Sequence, residues 1–139
     1  YQPGELKAVS YKNGERWAEE VVKTTGNPAK LAASADRGAI EADGKDLAFI
    51  TIEVKDKNGR SVPDANNLIR FSIEGPGEIV ATDNGDPTNM TSFASHERES
   101  FNGLVLVIIK AEIGKTGTIR LKADSDHLEG TEVKIDAKP

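Results

Sequence analysis

This 139-residue sequence predicts an all-β protein, an immunoglobulin-like β-sandwich. Short runs of alternating apolar and polar residues recur along most of its length, and the gaps between them carry turn pairs such as Asn13-Gly14, Asp43-Gly44 and Asn58-Gly59. Period-two alternation buries one face of a strand and wets the other. Runs of this kind at the roughly 8–12-residue spacing seen here build sandwiches. No segment repeats at the period of a solenoid or propeller.

The first element is a hairpin. Residues 5–11 and 16–24 flank Asn13-Gly14, and a pair of residues that both tolerate positive φ is the strongest short-range hairpin signal. Trp17, Val21 and Val22 would also suit one face of a short helix, but the length of the arm and the Asn-Gly turn favour a strand. A lone hairpin is marginal in water, so this one is expected to belong to a sheet elsewhere. Residues 1–26 are therefore assigned as the C-terminal hairpin of a preceding β-sandwich domain, and 27–139 as the immunoglobulin-like domain, with Gly26-Asn27-Pro28 as the linker. The start at Tyr1-Gln2-Pro3-Gly4, with no methionine, is expected to be a cut inside a longer protein.

From residue 30 the strands follow one another. Residues 30–35 form a candidate strand, followed by Ile40 and the turn at Asp43-Gly44. Over 47–55, Ala48, Ile50, Ile52 and Val54 point one way and Thr51, Glu53 and Lys55 the other, with Phe49 out of step with the apolar face. Val62-Pro63 suits an edge or a strand entry, because proline cannot donate to a ladder. Residues 67–74 form the next strand, Gly75-Pro76-Gly77 breaks it, and 78–81 is a short one. A polar loop is expected from Thr82 to about Ser100. The run 104–111 is apolar on both sides, as a central strand would be, and 118–123 and 131–136 alternate.

Composition excludes several functions. The net charge is −5, and lysines and arginines stand singly among carboxylates, so no basic stripe exists to neutralise phosphates and nucleic acid is not an expected partner. The longest apolar run, 104–109, falls far short of the ~20 residues of a membrane-spanning helix, so a membrane is not expected either. The absence of cysteine rules out disulfides, thiolate nucleophiles and cysteine-held metals.

Few residues offer chemistry. The stretch 82–89 packs two aspartates, two asparagines, a glycine and a proline together, and Asp83, Asn84 and Asp86 are its candidate ligand or domain-contact residues. Calcium would need a longer alternating acidic series, and these residue types favour turns for backbone reasons alone, so a turn is preferred over a metal loop. The 23 carboxylates fall mainly on outward strand positions or in turns, not as a convergent pair. His96 and His127 stand apart in polar segments. Tyr11 and Trp17 are the candidate sugar platform, since flat rings stack on sugar faces, although such a pair more often packs into its own sheet. Asn89-Met90-Thr91 matches a glycosylation acceptor. No catalytic, metal or cofactor residue is assigned.

Specific strings carry a family resemblance. The run 56–65, Asp-Lys-Asn-Gly-Arg-Ser-Val-Pro-Asp-Ala, followed by Phe71-Ser72-Ile73, resembles the bacterial immunoglobulin-like repeats of invasin and intimin adhesins. Gly75-Pro76-Gly77-Glu78-Ile79, Asp83-Asn84-Gly85-Asp86-Pro87-Thr88, Ser92-Phe93-Ala94 and Phe101-Asn102-Gly103-Leu104 more closely resemble the C-terminal immunoglobulin-like module of bacterial glycoside hydrolase family 2 β-galactosidases. This resemblance covers about residues 29–138, and Tyr1 to Tyr11 with Trp17-Ala18 looks like the tail of the domain that precedes that module.

The resemblance implies a non-catalytic accessory module. The family's two catalytic glutamates sit on a (β/α)₈ barrel of about 250 residues, which this chain cannot contain. It further implies a bacterial parent enzyme that cleaves terminal β-galactosides in the periplasm or outside the cell, with the other domains of the same polypeptide as partners. A carbohydrate-binding module and an invasin-type spacer repeat stay open as alternatives. The hairpin, cut from its sheet, is expected either to fold onto the sandwich or to pair between molecules as a dimer.

Overall fold

The computed structural model describes residues 3–139. Tyr1 and Gln2, the first two residues of the preceding-domain tail and of the 1–26 assignment, lie outside the described residues. Eleven strands follow in chain order: β1 (Glu5–Lys12), β2 (Glu15–Lys23), β3 (Lys30–Ala35), β4 (Ala39–Glu41), β5 (Leu47–Lys55), β6 (Leu68–Glu74), β7 (Gly77–Asp83), β8 (Glu97–Glu99), β9 (Leu104–Ala111), β10 (Gly117–Ser125) and β11 (Thr131–Lys138). They form a four-stranded sheet, β3-β5-β9-β7, packed on a five-stranded sheet, β4-β11-β10-β6-β8, with β1-β2 as a separate ribbon. The second arm of the hairpin is a strand, and the helical alternative is not adopted.

The core lies between the two sheets. β5 contributes Ala48, Ile50, Ile52 and Val54, and β9 contributes Val105, Val107, Ile109 and Ala111. Against them stand Ile69 and Phe71 of β6, Ile119, Leu121 and Ala123 of β10, and Ile135 and Ala137 of β11. Each fully buried aliphatic side chain contributes on the order of 1.5–3 kcal/mol of hydrophobic stabilisation, so this interlayer is the main favourable term. β9 is central, flanked by β5 and β7, but only one of its faces enters the core. On the other face Leu106 and Ile108 are half-buried, beside Phe49, which pairs with Ile108 and is 39% exposed.

Some boundaries depart from the pattern. After β3 the chain crosses between layers: β3 pairs with β5 in one sheet, and β4, three residues centred on Ile40, pairs in parallel with β11 in the other. The polar loop contains β8, which adds to the edge of β6. Val62-Pro63 belongs to no strand; Val62 is buried and its N–H donates to the Val54 carbonyl at 2.9 Å. Gly103, at φ +75°, lies so close to this segment that a Cβ on it would meet the Val62 carbonyl oxygen at 2.3 Å.

The hairpin turns at Asn13 (φ 54°) and Gly14 (φ 80°), the mirror-image turn that matches strand twist. Tyr11 stands opposite Arg16, and a bulge follows at Trp17, beyond which Ser10 pairs with Ala18. Neither arm pairs with either sheet of the sandwich.

Candidate functional site

The most organised irregular segment is the loop between β7 and β8, residues 84–96, which together with Asp83, the last residue of β7, carries the predicted Asp83-Asn84-Asp86 group. It is held by a ladder of side-chain-to-backbone bonds. Asp83 Oδ1 accepts from the N–H of Asn84 (2.8 Å) and Gly85 (3.2 Å), and Asn84 Oδ1 accepts from Asp86 N–H (3.0 Å). Asp86 Oδ1 accepts from both the N–H and the hydroxyl of Thr88, each at 2.8 Å. Asn84 Nδ2 reaches across to donate to the Glu99 carbonyl at 2.9 Å. Asp and Asn favour such turns because their short side chains mimic a backbone carbonyl two residues on.

The loop closes on Arg98, a residue the sequence pattern does not single out. Its side chain projects inward from β8 and is 2% exposed. Nε donates to Thr82 Oγ1 (3.3 Å), Nη1 to Asn89 Oδ1 (3.0 Å) and the Thr91 carbonyl (2.9 Å), and Nη2 to the carbonyls of Thr82 and Ser92, both at 2.7 Å. A guanidinium has five N–H groups, and here each is directed at a neutral oxygen. Burying a charge is tolerable only where its hydrogen bonds are complete, and this cage completes them without a carboxylate. The Thr82 hydroxyl, also buried, donates to the Ser95 carbonyl at 2.8 Å and links strand, loop and guanidinium.

The outer surface of the loop carries a recess of about 260 Å³ bounded by Asp83, Asp86, Asn89, Phe93 and Arg98. The Arg98 guanidinium lies 5.9 Å from the centre of the Phe93 ring, which is 63% exposed; Met90, at the loop crest, is 93% exposed. The loop is therefore a polar framework, stiff by construction, with two large apolar side chains facing outward. Among the described residues no three of His, Cys, Asp and Glu are grouped to hold a metal ion.

The other predicted site, Tyr11 and Trp17, sits beside the Asn13-Gly14 turn of the hairpin. Both rings are about two-thirds exposed. The Lys12 ammonium lies 4.3 Å over the Trp17 ring, a cation–π contact, and Tyr11 faces Arg16 across the ribbon. His127 occupies a turn at φ 64°, and the His96 carbonyl accepts from Phe71 N–H at 2.8 Å.

Comparison with known proteins places this geometry. The family model described as glycoside hydrolase family 2 C-terminal domain 5 matches residues 31–134. The β-galactosidase BoGH2A of Bacteroides ovatus is 40% identical over 138 residues, spanning 99% of this chain and 16% of that protein. A β-glucuronidase of Formosa agariphila is 27% identical over 141 residues, spanning all of this chain and 14% of its own length. The crystal structure of a glycosyl hydrolase family 2 member from Bacteroides cellulosilyticus superposes on 100% of this chain with a TM-score of 0.93 at 34% identity, and 18% of that chain is covered. The D00-D0 domain of intimin shares the fold alone, at 17% identity and a TM-score of 0.60. The chain thus spans about a sixth or a seventh of the length of these two relatives.

Proposed function

The chain belongs to the glycoside hydrolase family 2 C-terminal domain 5 family, and from that premise we propose that it is a non-catalytic accessory module of a larger β-galactosidase. The observation that carries this reading is the 40% identity across nearly the whole chain to one sixth of a β-galactosidase. The parent enzyme hydrolyses terminal β-galactosides on another domain, in the periplasm or outside the cell. Residues 3–26 belong to the sheet of the preceding domain, and the 27–139 sandwich packs on the rest of the polypeptide through preformed contacts.

The 82–96 loop is the contact element best suited to that packing. Asp83 and Asp86 each commit a carboxylate oxygen to the loop's own N–H groups, and Arg98 commits all of its donors. What the loop offers outward is rigid shape plus Phe93 and Met90, the chemistry of a buried domain contact rather than of bond cleavage. The same module occurs on relatives named for galactosides and for glucuronides, which argues that it does not choose the sugar.

Two measurements test this. Isothermal titration of the chain with galactose, lactose and β-galactan oligosaccharides is expected to give no heat of binding; millimolar or tighter affinity would replace the proposal with a carbohydrate-binding module. Incubation with a chromogenic β-galactoside is expected to give no turnover, and hydrolysis by this chain alone would overturn the reading.

A further inference from the structure

The junction between hairpin and sandwich is built more tightly than a linker of Thr24-Thr25-Gly26-Asn27-Pro28 requires. Asp56, fully buried at the end of β5, divides its carboxylate between two tasks. Oδ1 accepts from the N–H of Asn58 (2.8 Å) and Arg60 (2.9 Å) and so shapes its own turn. Oδ2 accepts from Gly26 N–H at 2.9 Å, thirty residues back along the chain. The Arg60 side chain adds a bond from Nη1 to the Thr24 carbonyl at 3.0 Å. Ala29 N–H donates to the Lys55 carbonyl at 2.9 Å, and the Ala29 carbonyl accepts from Glu129 N–H at 3.0 Å. The linker backbone is thus pinned at both ends and in the middle.

Among the described residues the arms of the hairpin pair only with each other. Leu6 and Val22, paired across the ribbon, are 74% and 61% exposed, and with Pro63 and Arg60 they border an open cleft of about 820 Å³. A ribbon on a loose tether would swing to bury those side chains against Pro63. An open cleft beside an exposed apolar pair requires something that resists the swing, and the pinned linker is what the structure provides. The Bacteroides cellulosilyticus glycosyl hydrolase matches hairpin and sandwich together as one body, so the same angle recurs where the module is embedded in a longer chain.

We propose that Asp56 and Arg60 form a rigid elbow that sets the direction of the hairpin relative to the sandwich, and so fixes the attitude of this module toward whatever the hairpin belongs to. The clamp acts through the linker backbone, so it is a positioning device and touches no substrate. The inference stands on the geometry of this chain and does not depend on the parent's activity.

The test separates the two tasks of Asp56. Asp56→Asn keeps an oxygen for the Asn58 and Arg60 N–H groups and places an amide NH₂ against Gly26 N–H, which breaks the linker tie while sparing the turn. Arg60→Ala removes only the bond to Thr24. The chain has no cysteine, so spin labels on Ser10→Cys and Thr116→Cys, in hairpin and sandwich, report one distance. The wild-type background is expected to give a single narrow distribution, and each variant one at least twice as wide. Trp17 is the one tryptophan and lies in the hairpin, so its anisotropy decay should gain a nanosecond component in the variants. Near-native amide shifts for β5 to β11 certify that the sandwich is folded. A broad distribution in the wild-type background, or unchanged width and anisotropy in both variants with the sandwich folded, overturns the elbow.

Discussion

Arg98 shows how much one residue can hold. Its guanidinium gathers oxygens from Thr82, Asn89, Thr91 and Ser92, so one side chain ties the loop's far half to β7, while Asp83, Asn84 and Asp86 order its start. Arg98→Ala is expected to lower stability by about 3 kcal/mol, the scale of losing several charge-assisted bonds. Arg98→Lys should recover little of this, because an ammonium cannot span the same fork. Urea unfolding measures the loss, and amide exchange should show residues 84–96 opening before the sandwich. Asp56 makes a second prediction, with a sign. The Gly26 N–H, then that of Arg60, stabilises its carboxylate and holds its pKa below the ordinary value. A group depressed in the folded state stabilises above its unfolded pKa of about 3.9 and loses that contribution as pH falls through the folded value. Wild-type stability should therefore fall as pH is lowered from about 4 through the depressed folded value, with Asp36, Asp43 and Glu53, also depressed, adding to the slope. In Asp56→Asn the slope should be shallower; equal slopes would remove this account. Neither role was legible in the residues. In the sequence Arg98 is one residue of an expected polar loop and Asp56 the first of the 56–65 string, and their partners, 6 to 16 residues away for Arg98 and thirty for the Gly26 tie of Asp56, follow no strand period.

At the scale of elements, alternation carried most of the prediction. The inward set of β5 and the alternation of β10 and β11 are where period two places them, since a strand half in a core has no other way to sort its side chains. β9 tests the limit of that rule. Its sequence is apolar on both faces, yet only Val105, Val107, Ile109 and Ala111 meet the opposite sheet. Ile109→Ala is expected to cost about 2–5 kcal/mol, and Ile108→Ala, on the half-open face, less than half of that. Chemical denaturation of the pair checks the difference; equal losses would mean that the outer face is covered in solution. β4 and β8 escaped the pattern because three residues are too few to show a period. β4 exists because β11 offers it an edge, and β8 because β6 does.

At the scale of the whole chain, the architecture sets a two-stranded ribbon beside the sandwich, joined to neither of its sheets among the described residues. Both edges of β1-β2 present free backbone groups, and Leu6 and Val22 add an apolar face, while lysines and glutamates along the arms oppose flat stacking. Weak, reversible self-association through the hairpin is expected. Sedimentation over a hundredfold concentration range should show it for the wild type and lose it on Leu6→Lys with Val22→Glu. A strict monomer at the highest concentration would remove this prediction.

The sequence by itself determined the all-β class, the Asn-Gly hairpin turn, the core faces of the long strands and the family, because these depend on the order of neighbouring residues and on strings such as Asp83-Asn84-Gly85-Asp86-Pro87-Thr88. Only the tertiary structure decided that Arg98 is caged, that Asp56 grips the linker, that β3 and β4 lie in different sheets and that one face of β9 stays open. Those outcomes depend on groups brought together from distant parts of the chain, where hydrogen-bond completion and burial act on proximity in space and leave no periodic trace in the order of residues.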